Sequence, residues 1–198
     1  MTTITQEKIL NLLFSTEDLL TIRGIAKRLN KPYALVYNNL ADLEKKGIIS
    51  KKSVPPAHII SLNESAPSEI FIDIELRTKR EFLKKHPWVE IMLEDMLSKQ
   101  LFFIALVFGS YAKGKQTPKS DIDILIIVNE KKDINNIDSF NEIYTKTKKS
   151  LHFVDKDDFK EMIKNTKELN IGNEAKKHHI ILYGIETYRQ ILKEVYKI

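Results

Sequence analysis

The chain has no cysteine, which excludes disulfides and thiolate metal sites and fits a reducing compartment. No apolar run approaches the ~20 residues a membrane-spanning helix needs, and the N-terminus lacks the pattern of a secretory signal. Internal repeats and low-complexity segments are also missing. The expectation is a soluble, cytoplasmic protein with no membrane partner. With 198 residues it can form one large domain or two small ones, either able to bury a core. Charge is unevenly spread. Residues 1–62 hold 9 Lys+Arg against 5 Asp+Glu, a net of +4, whereas the remainder holds 23 against 22. That is a modest bias of the first third toward a polyanionic partner.

One stretch demands chemistry. An apolar run from Phe102 to Phe108 ends in Gly109-Ser110, and Asp121-Ile122-Asp123 then opens a second run, Ile124 to Val128. Short apolar runs bounded by Gly and Ser read as buried strands. Residues two apart on a strand share a face, so Asp121 and Asp123 project together and repel. A hard divalent cation removes that repulsion, and Mg²⁺ is commonly held by one or two carboxylates plus substrate phosphates. Gly109 allows a phosphate close to the backbone, and the Ser110 hydroxyl and following N–H groups can donate to it. Together these features predict a site for a metal-bound nucleoside triphosphate. The competing reading is a strand-turn-strand unit with a solvated acidic turn.

Gly109-Ser110 followed by Asp121-x-Asp123, with Gly114 and Ser120 also in place, resembles the signature of the minimal nucleotidyltransferases of the DNA polymerase β-like superfamily. The likeness extends weakly to Ile180–Gly184, so it covers roughly the second half of the chain. It implies Asp121 and Asp123 as ligands of one or two Mg²⁺ ions. Ser110 and Lys113 would hold the phosphates of a nucleoside triphosphate such as ATP. Members of that superfamily usually place a third acid on a neighbouring strand. Aligned through Val154-Asp155, this chain has His152 there instead. Imidazole can serve as a base but is a poor ligand for Mg²⁺. Asp155 replaces it only if the strand register slips, and as an acid before a helix it also fits an N-cap. His178-His179 lack a third ligand for zinc.

The first third predicts helices over Gln6–Phe14, Ile22–Leu29 (capped by Thr21) and Pro32–Lys46, the last closed by Gly47. Two short strands, Ile48–Lys52 and His58–Leu62, follow around Val54-Pro55-Pro56. This order resembles the winged helix-turn-helix fold of transcription regulators, in which the third helix enters the major groove. Lys31, Tyr37, Asn38 and Lys45 lie opposite the apolar stripe of that helix, and Lys51 and Lys52 lie on the wing. These six are the candidate duplex-DNA contacts. A solvated face, or a protein-docking or dimerisation module, is the other reading.

The expected class is therefore α+β (α/β): a winged-helix domain over residues 1–62, a helical connector over 63–100, and a nucleotidyltransferase-fold domain with a small mixed sheet over 101–198. In the connector, helices are expected over Glu69–Lys85 and Pro87–Gln100. In the last domain they are expected over Ile134–Lys149, Asp155–Asn165 and Ile185–Tyr196. Two functions fit. One is a DNA-binding regulator whose nucleotidyltransferase-like domain binds Mg-NTP with weak or lost transfer. The other is an active antitoxin-like enzyme that modifies a partner protein, with the winged helix for docking or autoregulation. A homodimer is expected in either case.

Overall fold

The computed structural model describes residues 3–16, 18–63, 65–98, 103–134 and 149–196. The chain divides into two compact units, 1–74 and 75–198. Among the described residues no helix is long and apolar enough to cross a membrane.

The first unit is set by its caps. Helix α1 (Ile4–Phe14) starts with a reciprocal pair, in which the Thr3 side chain accepts from Gln6 N and the Gln6 side chain accepts from Thr3 N. Gln6 is buried, and its amide also donates to Asp42 Oδ2 at 2.6 Å. Lys46 donates to the same oxygen, and these two bonds, Lys46 first, hold the Asp42 carboxyl below its usual range. Strand β1 (Leu20–Thr21) leads into α2 (Ile22–Leu29), where Thr21 caps Gly24 N as expected. Asn30, with φ +49°, ends that helix in the left-handed region. Helix α3 (Tyr33–Lys45) follows, with Pro32 one residue outside it.

Gly47, at φ +69°, turns the chain into β2 (Ile49–Val54) and β3 (Ala57–Leu62). The sheet order is β1-β3-β2, antiparallel throughout. Strand β1 was not expected, since two residues are too short to show a period. The core gathers Ile9, Leu10, Ile25, Val36, Leu40, Leu43 and Ile60. Three helices followed by a β-ribbon make this a winged-helix arrangement.

The division between units falls inside α4 (Ser68–Lys85), which precedes α5 (Pro87–Ser98). The second unit is built on a mixed sheet of order β6-β5-β4-β7. Its strands are β4 (Phe103–Phe108), β5 (Ile122–Val128), β6 (Lys149–Asp155) and β7 (Ile180–Tyr183). Strands β5 and β6 run parallel, and the β4–β5 and β4–β7 pairs antiparallel. Alternation splits the sheet into two faces. Ala105, Val107, Ile124 and Ile126 pack with Val89, Met92 and Met96 of α5. The opposite face carries Leu106, Leu125 and Asp123. It meets α7 (Lys156–Lys164), α8 (Ile171–Lys177) and α9 (Ile185–Tyr196). Helix α8 was not expected. The helix expected over 134–149 lies, but for its two ends, outside the described residues.

Candidate functional site

Central strand β4 is buried along its whole length and ends at Phe108. Gly109 then turns at φ +67° into a single helical turn, α6 (Gly109–Ala112). The β4–β5 register places Phe108 opposite Asp123. A Cβ at residue 109 would lie 2.3 Å from Asp123 Oδ2. The positive backbone angle favours glycine there, and any side chain would also have to displace the Asp123 carboxylate. Asp121 is exposed immediately before β5, and Asp123 is half-buried on the strand. Burial is the largest cause raising the Asp123 pKa; the Glu174 and Asp121 carboxylates add to it, and His152 and Lys113 oppose it. Ser120 turns its hydroxyl to Thr117 N at 2.9 Å, closing the loop before Asp121.

The parallel β5–β6 register pairs Asp123 with Ser150 and Leu125 with His152, so the imidazole shares the Asp123 face. Its Nε2 lies 4.0 Å from Asp123 Oδ1, and its ring meets Phe108 edge-on with centroids 5.5 Å apart. Asp155 pairs with Val128 at the other end of β5. It caps α7 by accepting from Asp157 N at 3.0 Å and Asp158 N at 2.8 Å. The N–H of Asp158, first among several causes, holds its carboxyl below the usual range. Asp155 is thus occupied as a cap, away from Asp123. His178 stands at the C-terminus of α8. His179 Nδ1 faces the Ala175 and Lys176 carbonyls, and its Nε2 is 3.0 Å from Glu75 Oε1.

Glu174 was not foreseen. It lies on α8, and its Oε1 accepts from Lys113 Nζ at 2.9 Å. Seven residues of IGNEAKK show no helical period that would have revealed it. Among the described residues no three His, Asp or Glu side chains are arranged to hold a metal. The donor set is therefore two hard carboxylates beside a glycine-serine turn. That fits Mg²⁺ held partly by substrate phosphates, and it does not fit a closed all-protein site.

In the first unit, Tyr37 and Asn38 are exposed on α3, Lys45 sits in its last turn, and Lys31 lies in the turn between α2 and α3. The wing reaches this helix, since Lys51 Nζ is 5.9 Å from the Tyr37 ring centroid. Lys52, its neighbour on β2, points to the other face of the ribbon. Tyr33 stacks on Tyr37 with centroids 6.2 Å apart. Arg23, Lys27 and Lys31 line an open hollow with Tyr33. Arg23 and Lys27 are not among the six candidates the sequence suggests, although their i, i+4 spacing on α2 is a signal for them.

Residues 90–183 match the family model described as nucleotidyltransferase domain, a stretch that takes in Gly109, Ser110, both aspartates, His152 and Glu174. No curated protein is significantly similar to the chain. MepR, a transcription regulator of the Staphylococcus aureus multidrug efflux pump MepA, is 26% identical over 50% of this chain and 80% of its own, with a TM-score of 0.36. A glycine-to-lysine mutant of S. aureus MepR is 25% identical over the same shares, with a TM-score of 0.33. Superpositions this loose support no structural argument, so the winged-helix assignment stands on element order and strand register. Residues 90–183 of this chain are thus similar to a nucleotidyltransferase domain.

Proposed function

We propose that the protein is a DNA-binding regulator whose nucleotidyltransferase-like domain binds Mg-NTP, with transfer of nucleoside monophosphate weak or lost. The observation that carries this reading is the His152 imidazole 4.0 Å from Asp123 Oδ1, where relatives usually place a third acid. Asp121 and Asp123 would hold Mg²⁺, which when bound offsets the charge of the phosphates. The Ser110 hydroxyl and Lys113 would hold the phosphates themselves. His152 offers an imidazole in place of a carboxylate and so cannot supply a hard oxygen ligand. Ground-state contacts are kept, and part of the transition-state stabilisation is lost.

His152→Asp should therefore raise nucleotidyl transfer from labelled ATP by about tenfold or more, with ATP affinity changed by less than about twofold. Fast wild-type transfer that His152→Ala abolishes would make the imidazole a working base and favour the antitoxin-like enzyme. Fast transfer indifferent to His152 would overturn the role given to this residue.

The first unit would place α3 in the major groove and its wing on the backbone. Asn38 would read a base edge, and Lys31, Tyr37, Lys45, Lys51 and Lys52 would hold phosphates. Joint Lys51→Ala and Lys52→Ala substitution should weaken binding to every duplex. For each phosphate no longer neutralised, the slope of log K against log salt should flatten by roughly 0.9. If the wild-type chain shows no salt-dependent affinity for any duplex, the unit is a protein-docking module.

A further inference from the structure

Lys113 and Glu174 are 61 residues apart in sequence and 2.9 Å apart in space. Their side chains are 33% and 49% exposed, so the pair is weak and open to exchange. The backbone beneath Glu174 is held more firmly. Asn170 caps α8 by accepting from Asn173 N at 2.8 Å. The buried Asn173 amide donates to Asn165 O at 2.7 Å and to Glu168 O at 3.0 Å. A Cβ at Gly172 would come within 2.7 Å of Met162 Cβ, so α8 sits directly on α7. The helix is anchored while the Glu174 carboxylate is free to change partner.

That carboxylate occupies the same ammonium the nucleotide reading assigns to phosphate. It also adds a third negative charge beside Asp121 and Asp123. A polyphosphate seated on the Gly109-Ser110 turn would bring more charge to Lys113 than one carboxylate does. We propose that Glu174 stands in for phosphate at Lys113 and that a polyphosphate must displace it to bind. The inference rests on the Mg-NTP reading of this site and assigns Glu174 as a residue that sets selectivity for highly charged ligands.

Calorimetry on the full chain with metal-free inorganic tripolyphosphate isolates the exchange, because the aspartates then hold no metal. Glu174→Gln should tighten tripolyphosphate binding about two- to five-fold, the range a half-exposed pair allows. Glu186→Gln, which removes the same charge from the exposed first turn of α9, should leave the affinity unchanged. Lys113→Ala should weaken binding, and in that background Glu174→Gln should have no further effect.

If Glu174→Gln weakens binding, the carboxylate orients Lys113 and the proposal is overturned. If the gain persists without Lys113, it is bulk charge and the proposal is again overturned. No tripolyphosphate binding by the wild type also sinks it. Aspartate-dependent Mg-ATP binding with no effect of Glu174 would reject this inference alone. The predicted tripolyphosphate pattern with aspartate-independent Mg-ATP binding would reject the nucleotide reading alone.

Discussion

Replacing Asp121 and Asp123 together by Asn should abolish Mg²⁺-dependent ATP binding and leave the fold standing. Asn keeps the shape and removes both anions, so a cation held by the pair as proposed would lose its protein ligands while the glycine-serine turn persists. A loss of about two orders of magnitude or more in affinity is expected in the presence of Mg²⁺, with little change in its absence. Stability should move the other way. Burial, with the nearby Glu174 and Asp121 carboxylates, raises the Asp123 pKa. Ionised Asp123 therefore disfavours the folded state above that pKa, and the effect disappears as pH falls through it. Asp123→Asn alone should melt at or above the wild-type temperature at pH 7, the difference closing in acid. Calorimetry and thermal denaturation on the same samples test both halves. Equal Mg-ATP affinity for wild type and double mutant would remove the site.

Glu75→Ala should be the most damaging single substitution outside the site. Glu75 is 1% exposed and His179 10%, with Oε1 and Nε2 3.0 Å apart. Tyr188 packs edge-on against the imidazole at 5.0 Å. Breaking one partner of so enclosed a pair typically costs about 3–5 kcal/mol. The pH dependence identifies the pair. Burial pushes the His179 pKa down, but the Glu75 carboxylate and the Ala175 and Lys176 carbonyls outweigh it and leave it raised. A raised histidine pKa contributes stability that is fully present below the unfolded value of about 6.5 and is lost as pH rises through the folded value. In urea titrations the gap between wild type and Glu75→Gln should thus be widest below about pH 6.5 and narrow in alkali. A gap independent of pH would mean that shape alone holds the two side chains together.

The sequence by itself determined what local chemistry decides. Thr21 caps α2, and Gly47 ends α3 because that turn needs positive φ. Asp155 caps α7. The Phe108-Gly109 break and the Asp121-x-Asp123 repeat mark the half that matches the nucleotidyltransferase family model without any knowledge of packing, because strand alternation and glycine geometry act within a few residues.

Tertiary structure decided what lies together across long separations. The parallel β5–β6 register, not the motif, turns His152 to Asp123 and leaves Asp155 at the far end of the strand. Gln6 meets Asp42, and β1 finds β3, through the fold of the first unit. Glu174 reaches Lys113 only because a seven-residue helix with no amphipathic period is seated on α7 by Asn170, Asn173 and Gly172. Such pairings are chosen by burial and register between distant segments, and a one-residue slip of β6 would reverse which side chain faces the aspartates.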